Sequence, residues 1–454
     1  MTTSNSDACK IKHDVEFFGT VEGVYPNIPY SGDRPSKSIY IDLPNSYYDP
    51  IQGQNVLENT LDVLVSMEKY GLDGVAFTEQ HNGPINPFPS GMVAAAYLAA
   101  RTSRIKILAS GPLLNAYQSP IRLAEEIALV SQMSHGRLMI GLPMGLGQQY
   151  HSLGMNPATA RERHKEGHDL LAKALTEPGP FTWRGKFFNQ NYVNVWPRLD
   201  HKVDFLLPSG GSLETLELAA KRHYTYQTVL NHRPLMKATM EKFRELCRKE
   251  GYEPDAKQSA CVIQVHVAET DEIARKEVEA EYLWDYQNYF ETSAVETFPP
   301  GYTSLNSMKA ILSNGYGLDT KKMTLQDLID NNWVVVGSPQ TVIEKLEETI
   351  LETGCGRVLL NFSTGIKKRW LLDKCLTIFS QEVLPHFRKN GKPLDTRTSP
   401  QGYDTVMEYA VKRRKNVPNP AIVRDGNLID IWKNAIPGED PIIRKWDENG
   451  TEQA

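Results

Sequence analysis

Hydrophobic residues recur along the chain in two alternating spacings. Short apolar runs typical of buried strands are separated by longer stretches with apolar residues three and four positions apart, which is typical of amphipathic helices. The first clear pair is a helix over residues 55–70, ended by Gly71, and a strand over residues 75–78. Further predicted strands cover residues 38–43, 105–109, 138–142, 205–207, 226–230, 261–267 and 357–362. Further predicted helices cover residues 90–101, 120–134, 160–175, 212–222, 234–250, 271–282, 339–351 and 371–387.

About eight strands, each followed by a helix, imply a parallel sheet with helical crossovers. Eight repeats favour an α/β fold of the closed (β/α)8 TIM barrel type over an open doubly wound sheet. We expect the barrel to occupy residues 37–389, behind an N-terminal extension over residues 1–36. A segment rich in Tyr, Asn, Pro and Gly (284–325) predicts an insertion or mobile lid, and residues 181–197 predict a loop.

The last part of the chain, residues 390–454, is a long C-terminal extension interrupted by prolines. It also carries Ile431, Trp432, Ile443 and Trp446, which make it too apolar for a free tail. We therefore predict that this extension docks on the barrel or on a second subunit.

Composition narrows the class of protein. The 454 residues are 40% hydrophobic and 23% charged, with a net charge of −5. This balance argues against a broad nucleic-acid surface and against a polybasic membrane surface. No apolar run approaches the roughly 20 residues of a membrane helix. Five scattered cysteines form no CxxC pair, so we expect reduced thiols in a cytoplasmic protein.

Candidate chemistry follows the predicted strands, because active sites of such barrels lie at the C-terminal strand ends. Glu79, Gln80 and His81 follow the second strand and offer a carboxylate, an amide and an imidazole for proton transfer and hydrogen bonding. The alternative is a capped loop with a satisfied histidine. Ser110 and Gly111 follow the third strand, where small residues let a flat ligand approach the backbone, or simply allow close packing of strand and helix.

A Gly/Ser loop opens the helix after the predicted strand 205–207. Gly210, Gly211, Ser212 and Thr215 would place backbone N–H groups and hydroxyls around an anion, and this arrangement suits phosphate. The alternative is a plain N-cap made by Ser212, with Thr215 at the third helical position.

Two histidines four residues apart, His164 and His168, have a spacing that could bind zinc. No third ligand lies near them in sequence, and the HExxH order is absent. We therefore expect no metal site in this chain.

Several stretches resemble the bacterial luciferase-like flavin-dependent monooxygenase family. Residues 71–81 look like that family's helix end, second strand and Glu-His-His signature. Residues 119–126 are similar to its Pro-x-Arg-x-x-Glu helix start, and residues 132–138 to its Ser-x-Gly-Arg entry to the fourth strand. The likeness spans about residues 37–389.

The resemblance implies a barrel that binds reduced FMN at the C-terminal ends of its strands. The isoalloxazine would lie beside Ser110 and Gly111, and Ser212 and Thr215 match positions that hold the phosphate. Met144 stands where some members place an arginine near the phosphate, so phosphate binding would depend on backbone groups, on hydroxyls or on another basic residue.

The resemblance also implies a two-component monooxygenase. A separate flavin reductase would supply reduced FMN, and reaction with dioxygen through a flavin hydroperoxide would oxygenate a small, hydrophobic organic substrate. Gln80 replaces the first histidine of the signature and cannot act as a base, so that role falls to His81 together with Glu79. The family also implies a homodimer. Deazaflavin-dependent hydride transfer and a non-catalytic flavin-binding subunit are the alternatives.

Overall fold

The computed structural model describes residues 9–25, 28, 43–199, 201–229, 232–286, 294–302, 304, 309, 322–365 and 367–388, together with four short strands between residues 422 and 453. The chain divides into two compact units, Met1–Arg397 and Thr398–Ala454. Most of the predicted strand 38–43 lies outside the described residues.

The first unit contains eleven described strands. In chain order they are β1 (Glu16–Val21), β2 (Gly74–Phe77), β3 (Lys106–Ser110), β4 (Leu138–Gly141), β5 (Phe181–Arg184), β6 (Asn189–Val193), β7 (Asp204–Ser209), β8 (Thr225–Thr228), β9 (Ser259–Val267), β10 (Val334–Gly337) and β11 (Arg357–Ser363). Parallel pairing runs β1–β2–β3–β4–β7–β8–β9–β11 and returns to β1. This closed barrel of eight strands confirms the predicted (β/α)8 fold.

Helices connect the barrel strands. Their bounds are Pro50–Ser66, Gly91–Arg101, Pro120–Met133, Gly147–Ser152, Pro157–Thr176, Leu213–Arg222, Arg233–Lys249, Asp271–Trp284, Ala294–Thr297, Leu325–Asp330, Pro339–Thr353 and Arg369–Ile378. Side chains cap several helix starts: the Asp49 carboxylate accepts from the Gln52 N–H, and Ser90 accepts from the Val93 N–H. Gly71 has a φ of +78°, as expected for a residue that ends a helical segment.

The first barrel strand lies in the segment that the sequence analysis assigned to an N-terminal extension. All six residues of β1 are buried, and the strand pairs with both β2 and β11. A strand buried on both faces shows no alternation of polar and apolar residues, and no helix precedes this one to mark it. The barrel therefore begins near Glu16, inside the predicted extension, and β1 rather than residues 38–43 is its first strand in chain order. Whether residues 38–42 form a strand stays a prediction.

The predicted loop over residues 181–197 contains an antiparallel hairpin, β5–β6. The Glu166 carboxylate accepts hydrogen bonds from the backbone N–H groups of Phe187 and Phe188, both at 3.0 Å. These bonds hold the hairpin turn against the helix Pro157–Thr176. The loop prediction failed here because polar Asn and Gln residues supply most of the exposed strand β6.

Two further differences lie near the end of the barrel. β10 was not predicted. It pairs with the C-terminal half of β9, whereas β8 pairs with the N-terminal end of β9. The last predicted helix, 371–387, ends at Ile378 and continues as a π turn (Phe379–Val383) and a 3-10 turn (Leu384–Phe387). Pro385 lacks the N–H that a continuing α-helix would need.

Side chains inside the barrel form layers. An ionic layer lies at the N-terminal strand ends, where the Arg357 guanidinium contacts Glu16 at 3.1 Å, Asp204 at 2.6 Å and the Thr225 hydroxyl at 3.0 Å. Above it lies an apolar layer of Phe18, Ala76, Leu108, Met139, Leu206, Ala260, Val262 and Leu359. The barrel is therefore closed at its N-terminal end, as in other packed barrels.

The second unit contains four antiparallel strands in the order Ile422–Arg424, Asn427–Ile429, Ile443–Trp446 and Glu452–Gln453. The docking of residues 390–454 on the barrel or on a second subunit stays a prediction.

None of the five cysteines is in a disulfide, and all five lie in the described part of the chain. Within that part, no helix has the length and apolar character needed to cross a bilayer.

Candidate active site

A polar layer lies above the apolar layer, at the C-terminal ends of the barrel strands. Inward-facing residues of a strand are two positions apart. The inward-facing residues that follow members of the apolar layer by two positions form the next layer. They are Thr20, Thr78, Ser110, Gln264 and Asn361. In the neighbouring strand β8, the buried Gln227 side chain has an oxygen that finds no hydrogen-bond partner among the described residues. This layer therefore consists of neutral hydrogen-bonding groups. Two of them contact carboxylates at the mouth: the Thr78 hydroxyl donates to Glu22 at 3.4 Å, and Gln264 Nε2 donates to Asp285 at 3.2 Å.

Glu79 connects three loops at this mouth. Its Oε2 accepts from the Gly91 N–H at 2.7 Å, and its Oε1 accepts from the Leu113 N–H at 3.0 Å. The same Oε1 lies 3.0 Å from His81 Nε2. The Glu79 side chain is 3% exposed and that of His81 is 17% exposed. The carboxylate is therefore enclosed and orients the imidazole, whereas the imidazole remains accessible.

Ser110 and Gly111 lie beside this pair and are joined by a cis peptide bond. A Cβ on Gly111 would lie 2.7 Å from the backbone nitrogen of Leu113, and a Cβ on Gly141 would lie 2.6 Å from Ser110 Oγ. Contacts this short are not tolerated, so close packing by itself requires glycine at both positions. The packing alternative therefore accounts for Gly111, while Ser110 belongs to the polar layer.

Gln80 joins the Glu79–His81 loop to the loop after β4. Its side-chain oxygen accepts from Gln149 Nε2 at 3.1 Å, and the Gln149 oxygen accepts from the Leu146 N–H at 2.7 Å. In the same loop, the Tyr150 hydroxyl donates to the Met144 carbonyl at 2.9 Å. Gln80 thus fixes the backbone that carries Met144.

Part of the predicted insertion, residues 294–302, lies against this same loop. The Tyr302 hydroxyl donates to the Gly145 carbonyl at 2.8 Å, and the rings of Tyr302 and Tyr150 meet edge to face at 5.5 Å. Packing is closest at Gly147, where a Cβ would lie 1.6 Å from the Glu296 carbonyl oxygen. The described part of the insertion therefore covers one side of the mouth.

The predicted anion loop is occupied by its own side chains. Ser209 Oγ accepts from the N–H groups of Gly211 and Ser212, both at 3.2 Å, and the Ser212 hydroxyl donates to Glu214 at 2.8 Å. Ser212 precedes the helix but makes no capping bond. Ser212 thus stands at the N-cap position, as the alternative predicted, but without a side-chain cap, and an anion here would have to displace these internal contacts. Gly210 is exposed, and a Cβ there would meet nothing within 4 Å.

Met144 and Thr215 line one cavity of about 670 Å³ beneath this loop. Arg161, at the start of the helix Pro157–Thr176, lines the same cavity. Met144 stands where some family members place an arginine, so the positive charge for a phosphate has to come from another residue. Arg161 supplies a guanidinium at this place, and only the tertiary structure brings it beside Met144 and Thr215.

His164 and His168 lie on the same helix with ring centroids 4.4 Å apart. Burial, together with the charge of Arg161, lowers the pKa of His164 to about 4. Burial and the neighbouring His164 lower the pKa of His168 well below its usual range. Both rings are therefore neutral at pH 7 and pack in the barrel wall.

Comparison with known proteins supports the fold. The family model for luciferase-like monooxygenases matches residues 40–355, which is more than half of the chain. The chain is 25% identical to 2,5-diketocamphane 1,2-monooxygenase 2 of Pseudomonas putida over 327 residues, covering 66% of this chain and 85% of that protein.

Solved structures share the barrel. The oxygenating constituent of 3,6-diketocamphane monooxygenase from Pseudomonas putida, a type II Baeyer–Villiger monooxygenase in complex with FMN, has a TM-score of 0.62 and 20% identity, covering 82% of this chain and 99% of that one. An F420-dependent secondary alcohol dehydrogenase in complex with an F420–acetone adduct has a TM-score of 0.60 and 16% identity, covering 83% and 100%. The match of the family model establishes that this chain belongs to the luciferase-like monooxygenase family.

Proposed function

We propose that this chain is the oxygenating component of a two-component, FMN-dependent monooxygenase. It takes reduced FMN from a separate flavin reductase and uses dioxygen to oxygenate a small, hydrophobic organic molecule. The observation that carries the proposal is the accessible His81 imidazole, fixed by an enclosed Glu79 carboxylate at a polar barrel mouth. The chain's family supports it further, because luciferase-like monooxygenases carry out flavin chemistry at the barrel mouth.

The residues of the mouth fit FMN. The neutral polar layer of Ser110, Gln264 and Asn361 offers donors and acceptors to the edge of a flat ring system, and the orphaned Gln227 oxygen offers one more acceptor. Arg161 and Thr215 would hold the phosphate in the adjoining cavity. Bound reduced FMN would supply the electrons that activate dioxygen.

Each residue of the site then has a defined task. Glu79 positions the ring through Nε2, and His81 holds or moves a proton at its other ring nitrogen, Nδ1. Gln80 orients the loop that carries Met144. Residues 294–302 limit the access of water on one side of the mouth. This would protect reactive intermediates from side reactions with water.

The substrate class follows from two supports. The polar layer itself consists of neutral hydrogen-bonding groups, which suit an uncharged polar group on the substrate. The sequence relative named above acts, by its name, on a camphane diketone. We propose a hydrophobic ketone as the substrate.

Two adjacent helices support the homodimer that the family resemblance implied. Val93 and Tyr97 lie four residues apart on Gly91–Arg101 and are 71% and 37% exposed. Leu129 and Met133 lie four apart on Pro120–Met133 and are 50% and 44% exposed. Two such apolar pairs form a patch that a second copy of the chain would cover.

The test is a turnover assay with photochemically reduced FMN, ¹⁸O₂ and a panel of bicyclic ketones. We expect product that carries one labelled oxygen atom. We also expect turnover when a flavin reductase, instead of light, reduces the FMN. Product without label, or product formed without air, would contradict the proposal.

The deazaflavin alternative has its own support, because the dehydrogenase neighbour is F420-dependent. A parallel assay with reduced or oxidised F420 in the absence of air tests for hydride transfer to ketones or from secondary alcohols. Turnover in that assay alone would favour the alternative. Flavin binding without turnover in either assay, across the whole panel, would favour a non-catalytic subunit.

A further inference from the structure

Three segments meet at the N-terminal end of the barrel, on the face opposite the mouth. They are the segment that precedes β1, the buried side of the helix Pro339–Thr353 and the 3-10 turn Leu384–Phe387. Each contributes one side chain to a cluster: Cys9, Glu347 and His386. The candidate ligand atoms of these three all lie within 4.8 Å of one another. We propose that this cluster is a zinc-binding site.

The donor set selects the metal. A thiolate, a carboxylate and an imidazole are together the ligands of tetrahedral zinc, whereas magnesium and calcium take oxygen ligands only. Ligand–metal distances of about 2.0–2.3 Å place the ligand atoms of a tetrahedral site about 3.3–3.8 Å apart. His386 Nε2 and Glu347 Oε1 are already 3.4 Å apart. A small inward movement of Cys9 would complete three protein ligands, with water as the fourth.

The surroundings hold these ligands in place. Glu347 is buried with 8% exposure, and the Lys10 backbone N–H donates to its Oε1 at 2.6 Å. This bond fixes both the carboxylate and the backbone next to Cys9. His386 stacks edge to face on Phe387 at 5.0 Å, and Phe387 packs on Phe17 of β1 at 5.1 Å. The cluster is therefore built on elements of the barrel and not on an exposed loop.

One neighbouring charge opposes a cation and provides a control. Lys10 Nζ lies 3.9 Å from Glu347 Oε2, and its side chain is 70% exposed. Because a lysine ammonium repels a dication at this distance, the variant Lys10→Ala should bind metal more tightly. A ligand variant and a lysine variant thus have opposite expected effects.

The test uses the untagged full-length protein after removal of metals, titrated with Co²⁺ as a spectroscopic probe and with Zn²⁺ in competition. We expect one equivalent of Co²⁺ to give a thiolate-to-cobalt charge-transfer band that Zn²⁺ abolishes. Cys9→Ser should remove the band, and His386→Gln should weaken binding about 100-fold or more. Lys10→Ala should tighten it a few-fold, and Cys247→Ala, which removes a buried thiol elsewhere, should change nothing.

Thermal unfolding gives an independent readout, because a metal that joins residues 9, 347 and 386 stabilises the folded chain. Zn²⁺ should raise the Tm of the parent protein and of Cys247→Ala, and not that of Cys9→Ser. Absence of a charge-transfer band in the parent protein, or a band that survives Cys9→Ser, would overturn the proposal. Neither measurement depends on flavin chemistry.

Discussion

The His81 ring combines partial exposure with a fixed partner, which is the combination that proton transfer needs. Glu79 cannot take over this task, because both of its oxygens are engaged by backbone N–H groups. We expect His81→Ala to lower turnover by about 100-fold or more while the Kd for FMN stays within a few-fold. The control is His151→Ala, an exposed histidine on the short helix Gly147–Ser152. Unchanged turnover in His81→Ala would remove His81 from the mechanism.

Arg161 is the second residue whose role can be isolated. If its guanidinium holds the phosphate of FMN, Arg161→Gln should weaken FMN binding about 10-fold or more. Riboflavin, which lacks the phosphate, should bind parent and variant alike. Lys165→Gln provides the matched control, because Lys165 lines the same cavity but is exposed. Equal losses for FMN and riboflavin would place Arg161 elsewhere in the site.

At the scale of elements, prediction succeeded where a buried strand is marked by helices on both sides. β3 and β4 are such cases, and the sequence located both to within a residue or two. β1 lacks a preceding helix, and no helix was predicted before β10, because the segment up to residue 325 was assigned to an insertion. The chain could therefore be recognised as a barrel while its first strand was misplaced.

The same distinction applies to the site. Glu79, Gln80 and His81 are consecutive, so their side-chain chemistry was visible in the sequence. Gln149 reaches Gln80, and Arg161 reaches the cavity beside Met144, only through the folding of the loop and helix after β4. Contacts of this kind depend on tertiary packing and leave no local pattern.

The contact between residues 294–302 and the short helix Gly147–Ser152 can be tested as one element against another. Gly147→Ala would drive a methyl group into the Glu296 carbonyl and displace the covering segment. We expect faster loss of reduced flavin to oxygen without product, measured as hydrogen peroxide formed per turnover. Ser152→Ala, on the same helix, should leave this ratio unchanged. An unchanged ratio in Gly147→Ala would show that the segment does not exclude water.

For the whole molecule, the ionic layer links stability to pH. Burial would raise the pKa of Glu16, but Lys106, Lys257 and Arg357 outweigh it and lower that pKa to about 2. Because the folded-state pKa lies below the ordinary value of 4.5, the stabilisation is complete above about pH 4.5 and is lost as the pH falls toward 2.

Glu16→Gln should therefore unfold more easily than the parent protein at pH 7, by on the order of 2 kcal/mol after allowance for solvent screening. The difference should shrink as the pH approaches 2. Urea unfolding over this pH range measures it, with the exposed Glu382→Gln as control. A difference independent of pH would contradict the assignment.

The proposed homodimer is also a property of the whole molecule. The double variant Val93→Glu, Leu129→Glu should sediment as a monomer while retaining its circular dichroism, because two buried charges per protomer would oppose association. Leu351→Glu, which changes an exposed leucine on another helix, should remain a dimer. A parent protein that sediments as a monomer would refute the dimer itself.

The layering of the barrel interior has a consequence for how this chain can evolve. The main apolar core includes residues of the helices around the barrel, and the ionic and apolar layers fill the barrel interior, whereas the residues of the polar layer stand one step above them. On each strand, the residues positioned to contact substrate therefore lie two positions beyond the residues that fill the barrel interior. A directed-evolution library confined to Thr20, Thr78, Gln227, Gln264 and Asn361 should consequently sample new specificities with most of its members still folded.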